Sequence, residues 1–297
     1  MSTELNKVGK PKRGVSLYSY AAEFGVTMDL EDMFKEMNDM GARGLEILAN
    51  AHIEGYPNPS NEWLEKWDKL IEKYDIVPAE YGHWVDSRLF EGRQLTTEES
   101  YNMLIQDFKL ANRLGFKVLR TKLGVIDETL TPVENWSEFI AKALPMAEKY
   151  DVVMCPEIHP PTLLKSKMVD DYVEFIKKTG TKHFGLCMDF GVFQTELLPK
   201  DEWGPDDFIM PESEHSPVED IIPLLPYIYC CHAKFIKVSD EFEEVTIPYE
   251  KILNTLVEHK WDGYMVSEYE GPNKGVLGTA PEQVRKHHIM MKKILGE

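Results

Sequence analysis

The sequence is poor in cysteine and in positive charge, and it has no long apolar run. Its 297 residues include four cysteines, Cys155, Cys187, Cys230 and Cys231, none in a CxxC pair. All four sit in apolar, strand-like runs, so buried reduced thiols are expected rather than disulfides. No apolar stretch approaches the roughly 18 residues of a membrane span. The opening MSTELNKVGKPKRG has no apolar core of the kind a secretory signal needs, which points to a soluble cytoplasmic protein. Basic residues number 33 against 51 acidic ones, a formal charge of −18. Such a surface repels nucleic acid and anionic lipid, and one small basic cluster (Lys10, Lys12, Arg13) does not reverse that. There is no low-complexity tract, and no GxGxxG follows the first strand-like run, which argues against a doubly wound dinucleotide fold.

What is present is alternation of short β-rich runs with helix-period segments. Strands are expected at Gly14–Tyr20, Gly44–Leu48, Ile76–His83, in FKVLRTK, VVMCPEIH and HFGLCMDFG, and then in YIYCCHAKF and GYMVSEYEG. Between them lie helical segments such as TMDLEDMFKEMNDMG, stopped by Gly41, and NEWLEKWDKLIEKY. The segment TTEESYNMLIQDFKLANRLG opens on a capping pattern at Thr97 and closes on Gly115. Pro145 is expected to kink its helix. Eight such units of about 35 residues fit an α/β fold of the (β/α)8 TIM-barrel type. The expectation is one barrel domain over 1–297, with a flexible tail over about 1–12 and a long loop over about 192–216. That loop carries three prolines and seven acidic residues. It follows the sixth strand, on the face where barrels keep their active sites, so a lid or partner-docking role fits it.

Catalytic side chains of a barrel project from the C-terminal strand ends, and alternate residues share a face. Strand five ends in Glu157 and His159, strand six in Asp189, strand seven in His232 with Lys234 two further on, and strand eight in Glu268 and Glu270. A Glu, an Asp, a His and a Glu would therefore converge over the barrel mouth. Three carboxylates in a partly dry pocket repel one another, and one divalent cation removes the conflict. Oxygen ligands with one imidazole suit Mn2+, Mg2+ or Co2+, and Zn2+ less firmly. From spacing alone, Glu268 and Glu270 compete for the fourth ligand position. Cys155, Cys187 and Cys230 each precede a ligand by two residues and should fill the layer beneath.

Further polar groups at strand ends are candidates for binding substrate: His52, His83, Lys122, Lys234 and Glu270. Arg120 shares a face with Lys122 and needs an anionic partner. Glu46 faces the mouth or braces a neighbouring strand. His183, His215 and His259 read as loop or helix-surface residues. Trp84, Phe90, Phe193 and Trp203 fall in loops at the mouth, where they would stack on a sugar or aryl ring, or simply pack.

The segments CPEIHPP, LCMDFG, CCHAKF and VSEYEGP resemble the xylose-isomerase-like TIM barrels, also called sugar phosphate isomerases/epimerases, and the resemblance runs from RGVSLYSY to the last helix. It implies that Glu157, Asp189, His232 and Glu268 hold one divalent metal, commonly Mn2+. A narrower resemblance rests on RGVSLYSY with MDLEDMF, on GLEILAN and IEGYPNPS, and on EIHPP with HAKF. These look like the catalytic (alpha) subunits of bacterial C-glycoside deglycosidases. That implies a carbon–carbon lyase acting on 3-oxo-C-glycosides of polyphenols, a smaller β subunit as partner, and His159 as the proton-abstracting base. The broader family also includes ketose and sugar-phosphate isomerases or epimerases, in which Glu157 and Glu268 would act as the acid–base pair. An inositol-type dehydratase and a non-catalytic barrel subunit are further alternatives. A DNA endonuclease of the same superfamily is disfavoured by the net charge.

Overall fold

The computed structural model describes residues 9–82, 93–121, 123, 131–207, 209 and 212–297. Eight parallel strands close into a barrel in chain order: β1 (Lys12–Ser16), β2 (Gly44–Leu48), β3 (Val77–Gly82), β4 (Val118–Thr121), β5 (Val153–Ile158), β6 (Leu186–Asp189), β7 (Ile228–Phe235) and β8 (Tyr264–Tyr269). β8 pairs with β1 to complete the ring. Around it lie α1 (Leu30–Met40), the four-residue α2 (Ala49–His52), α3 (Asn61–Tyr74), α4 (Thr97–Leu114), α5 (Trp136–Tyr150), α6 (Lys167–Thr179), α7 (Tyr249–Glu258) and α8 (Thr279–Leu295). The helices turn their apolar stripes to the strands. Met33, Phe34 and Met37 of α1 and Phe139, Ile140 and Ala143 of α5 are fully buried in one continuous core. The TIM-barrel expectation is met, and among the described residues no helix is long and apolar enough to cross a membrane.

Local departures have local causes. The first strand starts inside the expected tail, at Lys12, whose N–H bonds to Gly263 O at 2.9 Å, and residues 1–8 lie outside the described set. It also ends early. Ser16 Oγ accepts from Tyr18 N at 3.3 Å and turns Leu17–Tyr20 into a 3-10 helix, which carries Tyr18 and Ser19 across the mouth. The α4 cap is Thr96 rather than Thr97. The Thr96 hydroxyl accepts from Glu99 N, and the Glu99 carboxylate accepts from Thr96 N, a reciprocal capping box. The helix α5 runs through Pro145. The chain between β6 and β7 forms no α-helix in its described part. Val218–Tyr227 is a 3-10 helix, because Pro223 and Pro226 remove amide donors and crowd the preceding turn. The long connection before it is closed at its ends by Ser216 N donating to Val192 O at 2.8 Å.

Strand register carries the site. Asp189 on β6 stands beside His232 on β7, and Lys234 on β7 beside Glu268 on β8. One layer down, Cys187 pairs with Cys230, and these two with Cys155 and Val118 make a small buried cluster of their own. The four thiols are free and buried, as expected.

Candidate metal centre and active site

The structure brings Glu157, Asp189, His232 and Glu268 together, with one potential ligand atom from each lying within 4.8 Å of all the others. Asp189 and His232 are fully buried. His232 Nδ1 approaches Glu157 Oε1 at 2.9 Å and Glu268 Oε2 at 3.2 Å. Neither approach has hydrogen-bond geometry, and both Nδ1 and Glu268 Oε2 are buried without a hydrogen-bond partner among the described residues. Orphaned lone pairs aimed at a common point are what a cation site requires and what a dry pocket penalises. Burial first, then Glu268 and Glu157, push the Asp189 carboxyl up to about 6 against the pull of Lys234 and His159. The residues present therefore fit a divalent ion. Gly191 keeps the wall thin here. Its N–H donates to Asp189 Oδ1 at 2.5 Å, and a Cβ would meet that oxygen at 2.8 Å and Lys234 Cδ at 2.9 Å.

The other face of His232 is held from beneath. Its Nε2 lies 3.2 Å from Glu80 Oε1 and 3.4 Å from Glu46 Oε1, an arrangement that leaves the Nδ1 lone pair facing the ring. Arg120 unites the layer, reaching Glu46 at 2.9 Å, Glu157 at 3.1 Å and Glu80 at 3.7 Å. Burial alone would raise both acids. His232 and Arg120 overcome it at Glu46, held down at about 2, while Glu80 stays raised. Glu80, Cys187 and His232 also lie within reach of one ion. Burial holds the Cys187 thiol well above its ordinary value, however, and it donates to Glu80 at 3.5 Å instead. The ring on the mouth side is thus the better metal site.

Beside the ring is a second polar chain. His159 follows the last residue of β5, one position beyond the strand. Its Nδ1 lies 2.6 Å from Pro160 O and its Nε2 lies 2.8 Å from Lys234 Nζ. A carbonyl only accepts, so Nδ1 carries the hydrogen and Nε2 presents its lone pair. Lys234 is buried and also contacts Asp189 at 3.5 Å and Glu270 at 2.5 Å. Glu270 is therefore tied to a lysine and stands outside the four-residue ring. The Tyr18 hydroxyl bonds to Glu270, and Lys274 Nζ stands 3.2 Å over the Tyr18 ring. That ammonium is buried without an acceptor among the described residues, and burial draws it down to about 8.

Not every expected residue joins the site. His52 is buried at the end of α2, with Nδ1 3.1 Å from Leu48 O and its ring edge-on to Phe24, apart from the ring of four. His83, Trp84, Phe90 and Lys122 lie outside the described residues. Phe193 is core packing against Phe190. His183 bonds to Val152 O, and His215 and His259 are exposed. Sequence reasoning passed over Glu80, Tyr18 and Lys274. For Glu80 a signal exists, a lone acid amid apolar neighbours on a strand.

A family description, xylose isomerase-like TIM barrel, matches residues 34–294. The 3'-dehydrocarminate deglycosidase alpha subunit of a Microbacterium species is 23% identical over 97% of this chain and 96% of its own. The C-glycoside deglycosidase alpha subunit of Arthrobacter globiformis is likewise 23% identical, over 96% and 92%. Among solved structures, D-psicose 3-epimerase with D-tagatose from Clostridium cellulolyticum superimposes with a TM-score of 0.67, at 15% identity over 95% of this chain and 98% of that one. The IOLI protein with a binding zinc atom gives 0.63, at 15% identity over 96% and 98%. At those identities the structures speak for the fold alone. With the closed barrel and a match spanning most of its length, the chain belongs to the xylose isomerase-like TIM barrel family.

Proposed function

We propose that the chain is the catalytic subunit of a metal-dependent carbon–carbon lyase that removes the aryl group from 3-oxo-C-glycosides. The observation that carries this reading is His159, an imidazole outside the ring of four whose Nε2 lies 3.7 Å from Asp189 Oδ2. An isomerase or epimerase working through Glu157 and Glu268 has no need of it. The full-length likeness to proteins named as deglycosidase alpha subunits supports the same choice.

Glu157, Asp189, His232 and Glu268 would hold the metal, with Mn2+ the first choice and Mg2+, Co2+ or Zn2+ as alternatives. When bound, a divalent ion supplies a Lewis acid for the sugar carbonyl. His159 Nε2 accepts the proton from the carbon between the carbonyl and the anomeric centre once its lone pair leaves the Lys234 ammonium, which keeps Asp189 and Glu270 as partners. That electron pair forms the new C=C bond as the bond from the anomeric carbon to the aryl carbon breaks. The aryl carbon takes up a proton, and we assign its donor as Lys274, the buried ammonium that lacks an acceptor among the described residues. Lys234 holds the His159 ring between Asp189 and Glu270. The relatives are named as alpha subunits, so a smaller β subunit is part of this proposal.

The test pairs metal content with turnover. The purified chain, alone and with a β subunit, is chelated, reloaded with Mn2+ and offered a 3-oxo-C-glycoside of a flavonoid and, separately, a free ketohexose. One metal per chain with aglycone release is the expected result. An epimerised ketose without aglycone release hands the site to the isomerase reading, and absence of metal binding removes both.

A further inference from the structure

The connection from Val192 to Ser216 contributes a cavity beside the ring. Leu197, Leu198, Trp203 and Ile209 line about 450 Å3 of space, closed on the barrel side by Ile236 and Glu270. That volume lies within the range of small-molecule sites. Leu197 and Ile209 stay 49% and 42% exposed, large apolar side chains left at the wall of a cavity rather than folded beneath it. Trp203 lends an indole to the wall, its Nε1 shut off from solvent, and Gln194, Lys200 and Glu212 complete the lining with polar groups. Glu270 connects this space to the chemistry, because the carboxylate that forms part of its wall also grips Lys234, and Lys234 reaches His159.

We propose that this cavity seats the aryl group of the substrate, a flat polyphenolic ring system lying on Leu197, Trp203, Ile209 and Ile236 with its phenolic hydroxyls toward Gln194, Lys200 and Glu212. The inference rests on the lyase reading and deepens it by naming where the departing group is held. An apolar floor suits an aryl face.

Calorimetric titration of the Mn2+-loaded full chain with a free planar hydroxyflavone tests it, in the wild type and in Leu197→Asp, Ile209→Asp and Trp203→Phe. The two aspartates go to positions already half in solvent, and Mn2+ affinity of each variant checks that the barrel is intact. One flavone per chain is expected, with affinity falling about tenfold or more in each aspartate variant and about threefold to tenfold in Trp203→Phe, while Mn2+ affinity is unchanged. Wild-type affinity in both aspartate variants, or no flavone binding to the wild type, overturns the assignment. Aglycone release by the wild type, alone and with a β subunit, is measured alongside. Release with unaltered flavone binding in the variants leaves the lyase reading standing and sinks the cavity. The expected binding pattern without release keeps the aryl site and sinks the lyase.

Discussion

The ammonium of Lys234 lies 2.8 Å from Nε2 of His159 and also contacts Asp189 and Glu270, so one buried cation links the proposed base to the metal ring and to the mouth. Removing it strands the buried Asp189 carboxylate and leaves the half-buried Glu270 unpaired, at a cost of about 3 kcal/mol. Lys234→Met should therefore unfold at lower urea and lower kcat together. His159→Ala separates the roles. It should cut lyase kcat by about 10^2–10^4 while leaving Mn2+ affinity and unfolding near those of the wild type. Intact turnover in His159→Ala would end its assignment as base.

Glu268 and Glu270 lie two apart on β8 and just beyond it, yet they have different partners. Glu268 Oε2 faces His232 Nδ1 at 3.2 Å, while Glu270 holds Lys234 and is kept at about 2 by Lys234 and His159 despite its burial. Glu268→Gln should weaken Mn2+ binding by about tenfold or more, as loss of a charged ligand does, and Glu270→Gln should leave it within about threefold. Direct titration of the chelated protein with Mn2+ reads both. Equal losses would mean that the ring is drawn wrongly.

The residues that were legible in the sequence share one property: they sit at the ends of strands whose apolar runs announce themselves, so period-2 counting places Glu157, Asp189, His232 and Glu268 on one face and Cys155, Cys187 and Cys230 beneath. Glu80 was not legible as a partner of His232. The two are 152 residues apart and meet across the barrel, a contact made by closure and not by spacing. Tyr18 reaches the mouth because the Ser16 hydroxyl ends β1 early, and Lys274 because the chain after β8 folds back over Tyr18. Both depend on side-chain bonds that periodicity does not register. The 3-10 form of Val218–Tyr227 was written in Pro223 and Pro226, but those prolines sit within an otherwise helical apolar pattern.

Arg120 is the cation for three acids from three strands, and it is 5% exposed. Arg120→Met leaves Glu46, Glu80 and Glu157 to repel one another in a dry layer, an expected loss of about 3–5 kcal/mol. Because Glu157 also faces the ring, apparent Mn2+ affinity should fall by about tenfold or more, the scale of losing a group that orients a ligand. Arg120→Lys keeps the charge but lacks the planar fork that reaches several carboxylates, so it should fall between the two. Urea unfolding with and without Mn2+ tests this, and wild-type stability in Arg120→Met would show the network to be ornamental.

Acid should destabilise the fold through the buried histidines that burial keeps neutral, His52, His287 and His288, and His52 offers the clearest measurement. Burial outweighs the Leu48 carbonyl and Glu46 and lowers its pKa from 6.5 to about 4. Between those values the unfolded chain binds the proton that the folded chain refuses. The stabilisation is therefore fully present above about 6.5 and is lost as pH falls toward 4, some 3 kcal/mol in all for a shift of this size. Burial also pushes His287 and His288 well below their ordinary value, so they act in the same direction. His52→Gln keeps a polar side chain but removes one titration, and around pH 5 its stability should fall with acidification less steeply than that of the wild type, by about 1.4 kcal/mol per pH unit. Urea unfolding at pH 7, 6 and 5 on both proteins gives the two slopes. Parallel lines would mean that His52 does not refuse the proton and that acid acts through other groups.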